Sequence, residues 1–270
     1  MNSSELALYA KNVRKTILSS IHEAGSGHPG GSLSMADILT VLYFNHINID
    51  PANPMMEDRD KFVLSKGHGA PGLYSILAEK GFFEKEDVLS LRKINGRFQG
   101  HPCMSKLPGI EMSTGSLGQG FSASVGMALA NKIDEKKSKV YVILGDGELQ
   151  EGIVWEAAMA AAHYGLSNLI AIVDWNGLQI DGKNDDVMRV TPIDEKFAAF
   201  GWNVLIIDGH NLQEIDDAIS TAKEKSNAPT VIIAKTHKGK GVSFMEDNAG
   251  WHGKAPNDEE FAIAMKELGE

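Results

Sequence analysis

The 270 residues are 43% hydrophobic and 23% charged, with a formal net charge of -10. That usage excludes a disordered or fibrous chain and lets a domain of this size bury its apolar surface without disulfide staples. The acidic balance excludes nucleic acid and anionic membrane surfaces as natural partners, since both present phosphate of the same sign. In chain order, residues 4–23 alternate apolar and polar side chains at helical spacing and stop at Gly25, which predicts a first helix. Residues 34–46 predict a second, more buried helix, and residues 69–80 and 86–94 two more. A further helix follows the glycines of residues 115–120 and runs through Asn131. The second half then changes character. Apolar runs at 140–144, 169–173, 204–207 and 230–234 read as strands buried on both faces, separated by helical stretches at 152–164, 194–200 and 211–225. An amphipathic helix at 257–268 closes the chain. Alternating strand and helix implies an α/β fold, a doubly wound parallel sheet with helices on both faces, and one domain over residues 1–270.

No stretch approaches 18 apolar residues, so no membrane span is expected, and the N-terminus lacks the basic and apolar regions of a secretory signal. The single cysteine, Cys103, cannot form an internal disulfide and has only His101 nearby as an activating group. An inert thiol in a reducing, cytoplasmic setting is the natural reading.

The chemistry-bearing pattern is a strand, Gly145-Asp146-Gly147, a helix, a second strand, and then Asp174-Trp175-Asn176. In a parallel sheet both strands end at the same edge, about 4.8 Å apart, so Asp146 and Asn176 can reach one ion at the edge where open α/β sheets bind ligands. A carboxylate, an amide oxygen and a backbone carbonyl are hard donors that suit Mg²⁺, Ca²⁺ or Mn²⁺ and not zinc. Gly147 would let the backbone approach a phosphate. A plain turn after a strand is the competing reading. Ser113–Gly120 (STGSLGQG) offers glycines before a helix, which close helix packing explains equally well. Four histidines, His28, His68, His101 and His252, stand in loops flanked by glycine or proline, a setting that suits hydrogen bonding to phosphates or hydroxyls and proton transfer near neutral pH. Glu151 and Glu156 follow on the next helix, where a solvated face competes with any functional role. The Lys235–Gly241 segment (KTHKGKG) resembles a phosphate loop without the P-loop spacing.

Together the stretches SGHPGGSLSMADIL, LSKGHGAPGLYS, FQGHP, STGSLGQG, GDGELQEG, DWNGLQIDG, KTHKGKGVSF and WHG resemble the N-terminal half of transketolase over essentially the whole chain. The resemblance implies thiamine diphosphate as cofactor. Asp146, Asn176 and the carbonyl of Leu178 would hold the divalent metal, and Gly147, His68 and His252 would contact the diphosphate. Gly115 and Leu117 would border the aminopyrimidine and thiazolium. His28, His101 and His252 would face the sugar and assist proton movement, while Glu151 and Glu156 match glutamates that join paired active sites. It also implies a split enzyme. A full transketolase is more than twice as long, and the pyrimidine-binding and C-terminal domains, with most determinants of sugar-phosphate recognition, would lie on a C-terminal partner subunit in an α2β2 heterotetramer. The competing readings are another thiamine-diphosphate enzyme of the deoxyxylulose-phosphate synthase or dehydrogenase E1 type, a nucleotide- or NAD-binding module using the Gly115–Gly120 loop, and a paralogue without activity.

Overall fold

A computed structural model describes residues 1–269. The first helix, α1 (Ser3–Ala24), begins at an Asn2–Glu5 capping box and ends at Gly25 in the left-handed conformation, so both ends are fixed by local chemistry. Helices α2 (Pro29–Ser34) and α3 (Ala36–Val41) follow, the latter continuing into a π-helical turn, Leu42–His46. The single helix expected at 34–46 is thus divided. Pro29 starts a turn where no N–H is needed, and Ser34 bonds back to Gly31 O and across to Asp174, so the helix breaks at Met35. Next come β1 (Lys61–Leu64), α4 (Ala70–Lys80), α5 (Gln119–Ile133), β2 (Val140–Gly145), α6 (Gly152–His163) and β3 (Leu169–Trp175). The short hairpin β4 (Leu178–Gln179) and β5 (Gly182–Lys183) precedes α7 (Asn184–Val187) and α8 (Ile193–Ala199). The chain closes with β6 (Asn203–Asp208), α9 (Leu212–Glu224), β7 (Thr230–Lys235) and α10 (Asp258–Glu267).

Two further expectations are corrected. Residues 86–94 form only a 3-10 turn at Lys85–Ser90, because Arg92 and Asn95 adopt positive φ and stop any helix. The sheet also gains a strand that the apolar runs do not predict: β1 is four residues long and lies at the sheet edge.

The sheet order is β1-β2-β3-β7-β6, all parallel. Its central strands are buried on both faces with a period of two. Tyr141, Ile143, Ile170, Ile172 and Ile232 pack with α1, α3, α4 and α9. Val140, Val142, Leu144, Ala171, Val173 and Ile233 pack with α5, α6 and α8. Each such side chain removed from water contributes about 1.5–3 kcal/mol. The edge strand β6 departs from this pattern, with Ile206 49% exposed. Right-handed crossovers explain the two layers. The chain steps outward from β2 through α6 to β3, but inward from β6 through α9 to β7, so α6 and α9 fall on opposite faces. The loops after β3 and β7 therefore leave the same edge toward opposite sides, which opens a crevice there.

Candidate active site

The crevice is a cavity of about 300 Å³ at the carboxyl edge of the sheet, with Lys66, His68, Asp146, Asn176, Lys238 and His252 in its walls. Register places its first two donors. Gly145 pairs with Asp174, so Asp146 lies one residue past the end of that ladder and Asn176 two. Asp146 is 2% exposed. Its Oδ1 accepts from Gly147 N at 2.9 Å and its Oδ2 from Gly177 N at 2.5 Å. Asn176 Oδ1 accepts from Leu178 N at 3.1 Å, and Leu178 O from Lys238 Nζ at 3.2 Å. Each of these oxygens keeps a further lone pair.

Below them lies a buried ion pair. Asp174, fully buried, accepts from Lys66 Nζ at 2.5 Å, from Ser34 Oγ at 2.5 Å and from the Thr236 hydroxyl. Burial would raise the Asp174 carboxyl, but Lys66 and the two hydroxyls hold it below the usual carboxylate range. Asp146 behaves in the opposite way: burial, reinforced by the charge of Asp174, pushes it up to about 6. Burial and the Lys66 charge bring Lys238 down to about 8. Two ammonium groups thus face an edge where one carboxylate resists ionisation, an arrangement that an incoming cation and an oxyanion would both relieve.

The four loop histidines converge. Ring centroids of His28 lie 5.4 Å from His68, 5.4 Å from His252 and 6.3 Å from His101, and His68 and His252 are 5.1 Å apart. Burial, with help from Arg92 and Lys238 respectively, lowers His28 to about 4 and His252 to about 3. Burial likewise lowers His68 and His101. The rings are neutral at pH 7, so each offers one donor and one acceptor.

Gly115 and Leu117 line the same cavity, and a Cβ on Gly115 would come within 3.1 Å of the His101 ring. Gly118 holds the turn into α5 at φ 81°, where a Cβ would sit 2.4 Å from Ile153. Of the two glutamates, Glu151 lines the cavity, whereas Glu156 lies on the exposed side of α6, away from it. Residues with little or no signal in the sequence complete the site. Lys66 and Lys238 are visible there only as neighbours of histidine loops. Glu148 has no signal: its carboxylate, buried and thereby raised, accepts from Ser65, from Gly118 N at 2.7 Å and from Gly145 N at 3.0 Å, binding the loop before α5 to the ends of β1 and β2.

No described group of three His, Cys, Asp or Glu side chains forms a metal cluster. The donor set that does assemble is one carboxylate, one amide oxygen and one carbonyl. It fits a hard divalent cation, and the two lysines with the Gly147 backbone fit a diphosphate beside it. Fold and site thus define an α/β domain whose parallel sheet presents a diphosphate- and cation-sized crevice at its carboxyl edge.

Comparison with known proteins narrows that class. The family model described as transketolase, thiamine diphosphate binding domain, matches residues 6–270. A 6-deoxy-6-sulfo-D-fructose transketolase subunit from Clostridium sp. (strain MSTE9) is 46% identical over 264 residues, 98% of this chain and 96% of that protein. An apulose-4-phosphate transketolase subunit from Phocaeicola vulgatus is 41% identical over 270 residues, 100% of this chain and 96% of that one. The crystal structure of transketolase from Campylobacter jejuni superposes with a TM-score of 0.94 at 36% identity, covering 100% of this chain but only 43% of that one. The chain belongs to the transketolase family, as its thiamine diphosphate binding domain.

Proposed function

We propose that the chain, as one diphosphate-binding unit over residues 1–270, is the N-terminal subunit of a two-subunit transketolase. With a C-terminal partner subunit it transfers a two-carbon ketol unit from a ketose phosphate, or a ketose bearing another anionic group, to an aldose phosphate. The observation that carries this reading is the side-by-side placement of Asp146 and Asn176 at neighbouring strand ends, in one crevice with Lys66 and Lys238 and next to four convergent histidines.

Thiamine diphosphate, when bound, supplies the carbon nucleophile and electron sink for cleaving the bond beside a ketose carbonyl. Asp146, Asn176 and Leu178 O would hold Mg²⁺, or Ca²⁺ or Mn²⁺ in its place. Gly147, His68, His252, Lys66 and Lys238 would receive the diphosphate, with Gly115 and Leu117 against the rings. His28, His101 and His252 would bind sugar hydroxyls and move protons there, which their neutral rings favour. Glu151 and Glu156 would meet their counterparts across a subunit boundary. The reading includes a cytoplasmic α2β2 heterotetramer. No helix among the described residues is long and apolar enough to cross a membrane. Partner dependence is supported by relatives named as subunits, by the 43% coverage of the full-length enzyme, and by Ile180 and Met188, 70% and 62% exposed beside the crevice. The relatives named for sulfofructose and apulose-4-phosphate favour a specialised sugar route over the pentose phosphate pathway.

Purified alone, the chain is expected to show no ketol transfer with a panel of ketose donors and aldose acceptors. Addition of the C-terminal subunit restores it. Full activity from the single chain would refute the split-subunit reading. In the reconstituted enzyme, His101→Ala should lower turnover by about 10²–10⁴-fold, as loss of a proton-transfer group does, with little change in cofactor affinity. A loss confined to cofactor affinity would remove His101 from the substrate side.

A further inference from the structure

Asn184 is 3% exposed, yet neither its Oδ1 nor its Nδ2 has a hydrogen-bond partner among the described residues. A buried amide left without partners costs free energy that a folded chain ordinarily avoids. Its backbone is fully engaged: the N–H donates to Gly177 O at 2.9 Å and the carbonyl accepts from Met188 N at 2.9 Å. The main chain therefore anchors the point from which the side chain projects.

Its position gives the free amide a direction. A Cβ built on Gly147 would lie 3.6 Å from Asn184 Oδ1, so the amide rests against the backbone that follows Asp146. Gly147, against which the amide rests, and Gly177, whose carbonyl accepts from the Asn184 N–H, are the same two residues whose N–H groups hold the Asp146 carboxylate. Gln179, which also approaches Gly147, is already committed, its Oε1 accepting from Gln150 Nε2 at 2.7 Å. Asn184 differs in having neither amide atom bonded, and it lines the small cavity that adjoins the crevice behind Asn176, Gly177 and Leu178.

We infer that Asn184 is a positioning residue for the metal–diphosphate end of the cofactor, its amide hydrogen-bonding an oxygen of that group. The inference rests on the cofactor reading above. Three protein donors leave three positions of an octahedral cation to phosphate oxygens and water. An amide suits both: its NH₂ donates to a phosphate oxygen and its carbonyl accepts from a coordinated water. Such outer partners orient the inner donors and govern metal affinity.

The test compares wild type, Asn184→Leu and Asn184→Ala in the full chain, titrated in combination with its C-terminal subunit and melted alone. Mg²⁺ with thiamine diphosphate, and Mg²⁺ with inorganic pyrophosphate, are titrated by calorimetry, and the ligand-free proteins are melted. Leucine replaces an unpaired amide by an apolar group of similar shape. Ligand-free Asn184→Leu should therefore melt about 2–4 °C above wild type. Its affinity for the Mg²⁺–diphosphate probes should fall about ten- to hundredfold. Asn184→Ala should lose affinity to the same extent without the gain in melting temperature, because truncation leaves a void. Unchanged affinity in both variants overturns the inference, as does a lower melting temperature in ligand-free Asn184→Leu, which marks a purely structural amide. Wild-type chain that binds neither probe even when combined with its C-terminal subunit overturns the cofactor reading itself, an outcome separate from failure at Asn184.

Discussion

Replacing Asp146 with alanine is expected to abolish Mg²⁺-dependent binding of thiamine diphosphate, a loss exceeding the ten- to hundredfold typical of outer-shell substitutions. The fold should remain intact. Asp146 is raised in the folded chain to about 6, above its ordinary 3.8. The folded state therefore holds the proton more tightly than the unfolded one, and stability from this group is present in acid and lost as pH rises through about 6. At pH 7 the ionised carboxylate costs on the order of 2–3 kcal/mol. The alanine variant escapes that cost and forfeits instead the hydrogen bonds from Gly147 and Gly177, so its ligand-free stability at pH 7 should stay near wild type and fall below it near pH 4. Binding should carry the same signature. Below about pH 6 the cation must displace a proton from Asp146, so wild-type affinity should drop about tenfold per pH unit and flatten above. Calorimetry across pH 5–8 checks both effects, and wild-type affinity in the alanine variant would remove Asp146 from the site.

Part of this site is legible in the amino-acid order, for a definite reason. β2 and β3 are uninterrupted apolar runs, which only a twice-covered parallel strand requires, and parallel strands end together. Asp146 and Asn176 follow those runs directly, so their proximity needs no side-chain detail. The histidines are legible as loop residues from their glycine and proline neighbours, but their convergence depends on how α2, α4 and the segment after β7 meet at one edge. β1 is hidden because an edge strand of four residues, opening with lysine, shows no periodicity. Val88, Leu91 and Ile94, each three residues apart, imitate helical spacing, and only backbone geometry at Arg92 and Asn95 reveals the turn. The β6 edge exposes a face that its composition suggests is buried. The Lys66–Asp174 pair joins residues 108 positions apart, and no local spacing encodes it. Asn184 is less accessible still, since a missing partner is a property of packing.

Lys66→Met is the second large effect, and its cause is electrostatic. Lys66 and Asp174 are 1% and 0% exposed and 2.5 Å apart, and removal of one partner leaves the other charge stranded. Such a break costs about 3–5 kcal/mol, enough to lower the denaturation midpoint visibly at pH 7. The pH dependence identifies the mechanism. In the wild type the Asp174 carboxyl is held below its ordinary value, so the stability it contributes is complete above the ordinary carboxylate range and disappears only as pH falls through the depressed value. Without Lys66, burial is opposed only by the Ser34 and Thr236 hydroxyls, a long hydrogen bond from the Asn176 amide and the more distant Lys238 charge, and the carboxyl should titrate above its ordinary value. The variant then recovers stability by taking up a proton as the solution is acidified. The gap between wild type and Lys66→Met should accordingly narrow from pH 7 to pH 5, and adding Asp174→Asn to Lys66→Met should recover part of the loss at pH 7, because no uncompensated charge remains buried. A gap that is constant with pH would mean that Lys66 acts through its packing and not as the counter-ion on which this edge of the sheet is built.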